Sequence, residues 1–581
     1  MNRQDHRIVN KSTILGGIVP ALSAIILLAS CGSHPRIDPE GPFWVDDDRR
    51  NIDEPEFREP DLSWTTIDRT VFDPGLELLD LERSARILTG HRKRAVNINS
   101  FDEVPNSSWF TNRHGFERMS TEQIRTGPAR TAGPDTTGVW TVFRPKVGGQ
   151  TPGFWIEDAR GDQYIIKFDP HGFPQLGTGA AAVVSRYFHA CGYNVAQETI
   201  VYWRPEMLRI KEGATIKNAA GKKRPFLQED LDEILAEVHH EPDGRIRSLA
   251  SLSLGNVKGP FSYSGRRKDD PNDWCRHEDR RELRGLYVIG SLVNHYDLKD
   301  HNSLDVFEEE NGRGFLRHYL LDFGSTLGAD GHGAKPPIKG YANFFDLRDN
   351  FVSLVTLGLK TWPWEYAKPY QYPSIGYFES KLFEPDKFDP IYPNPAFENM
   401  TDRDAYWGAK IVMAFTDEDL KALVSTGQYS DPEAEAYLLR TLLERRDKIG
   451  RHWFNKINPL DYFEVGYFRR DLQFRFEDLA VKYGLYPDNA TYFMTVRYRG
   501  ENVIGPREFR VTSFALSLKD QRTMMAQFPH EEGSDEQEDH LYEIILQTKR
   551  QQTGLSKPTR LLLWFDDLSE RFRLVSIEHM D

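Results

Sequence analysis

Cysteine is nearly missing from this 581-residue chain, which has 3: Cys31, Cys191 and Cys275. A disulfide-dense secreted scaffold is thereby excluded. Cys191 and Cys275 can make one bridge, and nothing in their spacing demands it. There is no C-x-x-C pair and no Cys/His cluster at zinc spacing. Positive charge is short as well: 74 Lys and Arg stand against 88 Asp and Glu, a net charge of −14. Nucleic acid binds clustered positive surface, so no nucleic-acid partner is expected. Beyond the N-terminal region no apolar run is long enough to span a bilayer, and no internal repeat is visible. With 39% apolar residues, most of the chain reads as a large globular protein.

What is present begins with a targeting segment. Arg3, Arg7 and Lys11 precede an apolar stretch from Ile14 to Leu28. That stretch is too short to span a bilayer comfortably and is broken by Pro20. It ends in Leu28-Ala29-Ser30-Cys31, which resembles the bacterial lipobox, whose cysteine is diacylated and becomes the new N-terminus. The resemblance implies a signal peptide over 1–31, a lipid anchor at Cys31 and soluble protein beyond it. Gly32 is not the aspartate that retains lipoproteins at the inner membrane of enteric bacteria. The implied address is therefore the outer membrane, facing the periplasm.

Residues 32–66 are rich in Pro, Asp, Glu and Arg. Too little apolar surface is present to offset ordering entropy, and the segment reads as a flexible tether. Residues 67–136 form an N-terminal extension, with capping-box spacing at Ser120 to Gln123 before Gly127-Pro128 and an irregular stretch from Val104 to Trp109. The main domain, 137–457, opens with strands over 139–144, 155–158 and 163–168. A helix over 178–191 follows, stopped by Gly192, and then a strand over 199–203. Residues 205–244 read as an insertion with a helix near 228–238, and 245–254 as a strand leading onward. Asp273 is placed to cap a helix over about 277–294, and Asn311-Gly312 to turn a hairpin of short strands. Residues 340–457 read as helical; the best-marked helix has Asp431 as N-cap, Pro432 at its first position and Gly450 as its stop. From 458 to 581, strands with polar turns predict a β-rich C-terminal domain. The fold class is α+β.

The chemistry concentrates in His295-Tyr296-Asp297-Leu298-Lys299-Asp300-His301-Asn302, followed at the end of an apolar strand by Asp322-Phe323-Gly324. An acid, an asparagine and a second acid in this order suit phosphoryl transfer. One carboxylate orients the attacking hydroxyl, while the asparagine and the second carboxylate hold the magnesium that neutralises the transferring phosphate. Upstream, Tyr164-Ile165-Ile166-Lys167 ends a strand, and Gly148, Gly149 and Gly153 lie in the turn before it.

In order, these segments resemble the glycine turn, the V-A-I-K strand, the H-R-D-L-K-x-x-N loop and the D-F-G element of protein kinases. They are nearest to atypical kinases such as the HipA-like toxin kinases and the CotH-like spore-coat kinases. The resemblance covers roughly residues 140–330 and implies a bilobal fold with a β-rich N-lobe and a helical C-lobe. It implies Asp297 as catalytic base or hydroxyl-orienting acid, with Lys299 beside it offsetting phosphate charge. It implies Asn302 and Asp322 as Mg²⁺ ligands, Lys167 on the phosphates of ATP, and Gly148, Gly149 and Gly153 letting backbone amides approach those phosphates. The acceptor, a hydroxyl compound or an envelope protein, is left open.

Three departures stand out. Tyr296 replaces the arginine of H-R-D, which removes the usual clamp for a phosphorylated activation loop. No A-P-E follows Asp322; Gly328 to Pro337 is a Gly/Pro-rich loop. The helix over 178–191 has no acid to pair with Lys167, which leaves Glu198, Glu229 and Glu233 as candidates outside it. Two other readings use the same residues. One is a non-catalytic, pseudokinase-like scaffolding lipoprotein of the envelope that makes contacts through its C-terminal domain. The other is a metal-dependent hydrolase built from His295, Asp297, Asp300, His301 and Asp322.

Overall fold

The computed structural model describes residues 41–59, 93–146, 153–217, 222–342, 363–527 and 537–581. The signal segment with Cys31, and the glycines Gly148 and Gly149, lie outside them. Cys191 and Cys275 are both free and buried, with no bridge between them. Among the described residues no helix is long and apolar enough to cross a membrane.

Part of the expected tether is docked. The Ile52 amide donates to Gly314 O at 2.9 Å and the Arg58 amide to Lys258 O at 3.2 Å. The buried Asp48 carboxylate accepts from the Ser108 amide and hydroxyl. Hydrogen bonds hold this segment rather than apolar burial, and composition alone does not reveal them. The capping box forms as spelled: Ser120 caps α1 (Thr121–Thr126) and the Gln123 side chain accepts from the Ser120 amide.

Strands β1 (Trp140–Pro145), β2 (Gly153–Glu157) and β3 (Gln163–Lys167) run antiparallel. The helix α2 (Leu176–Cys191) follows and is buried on nearly every side, as an interior helix with apolar residues all round must be. It starts without a cap of its own. The Asp169 carboxylate supplies one, accepting from the Gln175 and Thr178 amides at 2.8 Å each. Next come β4 (Asn194–Val195), β5 (Glu198–Trp203), β6 (Leu208–Ile210), the hairpin β7 (Thr215–Lys217) and β8 (Lys223–Pro225), α3 (Gln228–Ala236) and β9 (Ile246–Leu252). The six-stranded sheet has the order β5-β9-β3-β2-β1-β6. β9 is thus an interior strand, and it is also the last strand of this sheet along the chain, so the chain leads onward from it as its sequence suggests. One face carries Trp140, Trp203, Phe154 and Phe168 against α3; α2 packs against β5 and β9.

The second lobe is built on α4 (Arg281–Leu292), which starts later than its sequence suggests. Asp273 does not cap it. Its carboxylate instead accepts from the Arg267 amide and meets His277 Nε2 at 2.8 Å. Strands β10 (Ser303–Glu310) and β11 (Arg313–Leu320) form a longer hairpin than expected, turning at Asn311 (φ +53°) and Gly312 (φ +75°). β12 (Ala329–Asp330) and β13 (Gly333–Ala334) make a small hairpin after it. Residues 367–394 are irregular rather than helical, interrupted by Pro369, Pro373, Pro385, Pro390 and Pro393. The helices α5 (Asp402–Met413), α6 (Asp417–Ser425) and α7 (Pro432–Phe454) complete the lobe. α4 and α5 cross closely, since a Cβ on Gly408 would lie 2.8 Å from Gly285 O. α7 runs straight through Gly450, where a Cβ would meet Met413 Sδ at 2.5 Å. That glycine serves a helix contact, not a helix stop.

After α7, strands 460–468, 471–478 and 513–516 form one sheet and strands 491–498, 501–509, 541–550, 559–566 and 571–579 a second. Both sheets contribute to a single core that includes Leu472, Phe474, Val496, Ile544 and Leu561.

Candidate active site

The β10–β11 hairpin sets the geometry. At its open end the Leu321 amide donates to Asn302 O at 2.9 Å, so Asn302 and Asp322 flank the same strand ends. Asp322 takes φ +61°, which turns the chain sharply and sends Phe323 inward. The Phe323 ring stacks on Phe188 of α2 at 5.1 Å and meets His295 at 5.6 Å. Three rings therefore fix α2, the loop starting at His295 and the Asp322 turn to one another. Burial pushes the His295 imidazole down to about 3, so it stays neutral and acts as an apolar wedge. The hydrolase reading has no support: among the described residues no group of three or more His, Cys, Asp or Glu could hold a metal. His295 is packed between rings, and Asp300 accepts from the Tyr263 amide at 3.2 Å.

Asp297 is held from two sides. Lys299 Nζ lies 2.8 Å from its Oδ1, and Asn302 Nδ2 donates to its Oδ2 at 2.9 Å and to its carbonyl at 2.7 Å. Burial raises the Asp297 pKa, and Lys299 and Asn302 work against that rise. Because the Asn302 amide nitrogen is spent on Asp297, its oxygen is the atom left for a cation. The Asp322 side chain is 51% exposed. One amide oxygen and one carboxylate are hard donors that suit Mg²⁺ or Mn²⁺ with water in the remaining positions.

Lys167 ends β3 opposite this pair. Its Nζ is 3.5 Å from Asp322 Oδ1 and 3.9 Å from Glu198 Oε1. Burial opposes its charge, but Asp322 and Glu198 outweigh it and raise the Lys167 pKa. The partner acid missing from α2 is thus Glu198, at the start of β5. It reaches across β9, pairing with Ser251, whose hydroxyl donates to Glu198 Oε1 at 3.1 Å. Glu229 and Glu233 sit exposed on α3. Sequence spacing could not select Glu198, because two strand pairings rather than a helical period bring it to Lys167.

Lys146, just after β1, is a residue the sequence reading missed. Burial and the Lys167 charge lower its pKa, and it bears on Asp322. Lys167, then Lys146 and Lys299, hold the Asp322 carboxyl below its ordinary value. Lys167 is the one of these three lysines in direct contact with Asp322, and the charges of the other two bear on it as well. Gly153 stands at the start of β2, paired with Lys167. A Cβ there would lie 2.3 Å from Ile166 O, so close strand packing by itself requires the glycine. A cavity of about 170 Å³ lies elsewhere, lined by Trp44, Phe110, Trp407, Lys410 and Tyr462, and includes none of these residues.

No family model and no curated protein matches the chain. Two solved structures do. The crystal structure of the Golgi casein kinase matches at 12% identity over 70% of this chain and 95% of that one, with a TM-score of 0.26. The Golgi casein kinase with Mn/ADP bound matches at 10% identity over 71% and 94%, with a TM-score of 0.27. At TM-scores this low the likeness decides neither fold nor function, and the site is judged on its own residues.

Proposed function

We propose that this chain is a kinase-like phosphotransferase of the bacterial envelope, lipid-anchored at Cys31, that moves a phosphoryl group from a nucleoside triphosphate such as ATP to a hydroxyl acceptor. The observation that carries the proposal is the convergence of Lys167, Glu198 and Asp322 beside the Asp297–Lys299–Asn302 cluster. Glu198 holds Lys167 extended toward the phosphates. Lys146 adds further positive charge near Asp322. Asp297 orients the acceptor hydroxyl and takes its proton as the new O–P bond forms and the bond to the nucleoside diphosphate breaks. Lys299 keeps Asp297 ionised and offsets charge on the transferring group. Asn302 and Asp322 would hold a divalent cation, which would supply the remaining charge neutralisation.

The test uses the purified full-length protein in detergent. Millimolar ATP with Mg²⁺, at about a hundred times its Kd, stabilises the fold by about 2.7 kcal/mol, a shift absent from Asp322→Ala. Transfer of labelled γ-phosphate into envelope components disappears in Asp297→Ala. A folded protein that no nucleoside triphosphate stabilises overturns the reading. A shift without transfer assigns the site to binding and makes the protein a non-catalytic envelope scaffold. Labelled palmitate on the wild type and its loss from Cys31→Ser test the anchor.

A further inference from the structure

The residue that departs most from the kinase pattern is Tyr296, and its surroundings explain what replaces the missing arginine. Tyr296 is 2% exposed. Its hydroxyl donates to Asp330 Oδ1 at 2.8 Å. The other oxygen of Asp330 accepts from Lys339 Nζ at 2.7 Å, and that ammonium stands 5.1 Å over the Tyr296 ring. The Gly331 amide adds a third donor to Asp330 Oδ1 at 2.8 Å. Asp330 ends β12, inside the Gly/Pro-rich loop that follows Asp322.

The same loop is fastened at both ends to the residues just before His295. The Leu327 amide donates to Val293 O at 2.9 Å. At the other end Gly340, with φ +92°, passes so close to Asn294 that a Cβ would lie 2.0 Å from its Oδ1. Between the ends, Lys335 Nζ donates to Lys339 O at 2.6 Å and its amide to Gly328 O at 2.8 Å. The contacts to Val293, Asn294 and Tyr296 lie on the segment that delivers Asp297, and those of Lys335 brace the loop internally.

We propose that Asp330 is a permanent anion that pins the loop 327–340 onto Tyr296 and so positions Asp297 without any loop phosphorylation. An acid encoded in the loop, with a tyrosine hydroxyl and a lysine ammonium on its two oxygens, supplies the contact from this chain's own residues. A hydrogen bond to a charged acceptor is stronger than one between neutral groups, so losing one should release the loop measurably. The consequence for turnover rests on the phosphotransferase reading; the pin itself does not. Tyr296 and Asp330 are positioning residues and touch no reacting group.

The experiment compares full-length wild type, Tyr296→Phe, Asp330→Asn, Tyr296→Arg and the double variant Tyr296→Arg with Asp330→Asn. Hydrogen exchange of the peptide spanning 327–340 should accelerate about tenfold or more in Tyr296→Phe and Asp330→Asn. It should stay slow in Tyr296→Arg, which restores an ion pair to Asp330, and be fast again in the double variant. ATP turnover should follow the same order through kcat, with KM for ATP unchanged, and phosphatase treatment should leave the wild type unaffected. Equal exchange in all five proteins overturns the pin, as does wild-type turnover that phosphatase abolishes. A wild type with neither nucleotide-dependent stabilisation nor turnover sinks the phosphotransferase reading, and exchange alone then decides the pin.

Discussion

Asp297 can accept a proton only while ionised, and its neighbours set the pH at which that holds. Burial raises its pKa above the ordinary carboxylate value, with Lys299 and Asn302 pulling it back. The rate should therefore fall as pH drops through this raised value, giving an acid limb above that of a solvated aspartate. Lys299→Met removes a cation 2.8 Å away. Its acid limb should move to higher pH, and its maximal rate should fall by about tenfold or more. A kcat–pH profile checks this; a limb that stays in place removes Lys299 from the electrostatics of Asp297. At this scale Asp297, Asn302, Asp322 and Lys167 were readable because each sits in a short local pattern. Glu198 was one of three candidates that spacing could not rank, and Lys146 was not read at all. Each reaches the site through strand pairing, which no local spacing encodes.

Strand pairing also decides what Gly153 does. The glycine-loop reading gives it a role toward phosphate, whereas its position opposite Lys167 leaves no room for a methyl group beside Ile166 O. Backbone cannot yield as a flexible side-chain tip can. Gly153→Ala should therefore cost about 1–3 kcal/mol in the nucleotide-free protein, read by urea unfolding, with weaker ATP binding as a by-product of a shifted Lys167. Unchanged stability with weakened ATP binding would return Gly153 to the phosphate role. Elements with a complete local signature were legible: the capping box of α1, the stop of α2 at Gly192 and the turn at Asn311-Gly312. Gly450 carried a misleading one. A glycine near the end of a helical pattern resembles a stop, and only the packing of α7 on Met413 shows that the helix passes through it. The prolines between 367 and 394 were the available sign that this stretch would not be helical.

Taken as a whole, the chain is joined by one buried charge cluster that its sequence hides. Asp102 Oδ1 accepts from Arg281 Nη1 on α4 at 2.6 Å and from Arg403 Nη2 on α5 at 2.9 Å, and its Oδ2 lies 3.2 Å from His579 Nδ1. Arg403 continues to Glu578 at 3.1 Å. Extension, helical lobe and last strand thus meet at one carboxylate, although no motif links positions so far apart. For that reason the C-terminal domain read as separate. Burial works against the charge on Asp102, yet Arg281 and Arg403 outweigh it and hold the pKa well below 3.8. A depressed folded value means that this stabilisation is complete above the unfolded pKa. It is lost only as pH falls through the lower folded one, so it persists at neutral and mildly acid pH. Removing one partner of a buried ion pair costs about 3–5 kcal/mol, and Asp102→Asn should show a loss of that size. Denaturant-dependent hydrogen exchange can read peptides from 402–425 and from 541–579 separately. In the wild type both should open together, and in Asp102→Asn both should lose protection by the same amount. If 541–579 keeps its full stability while 402–425 weakens, the cluster does not couple the two regions, and the β-rich domain stands on its own core.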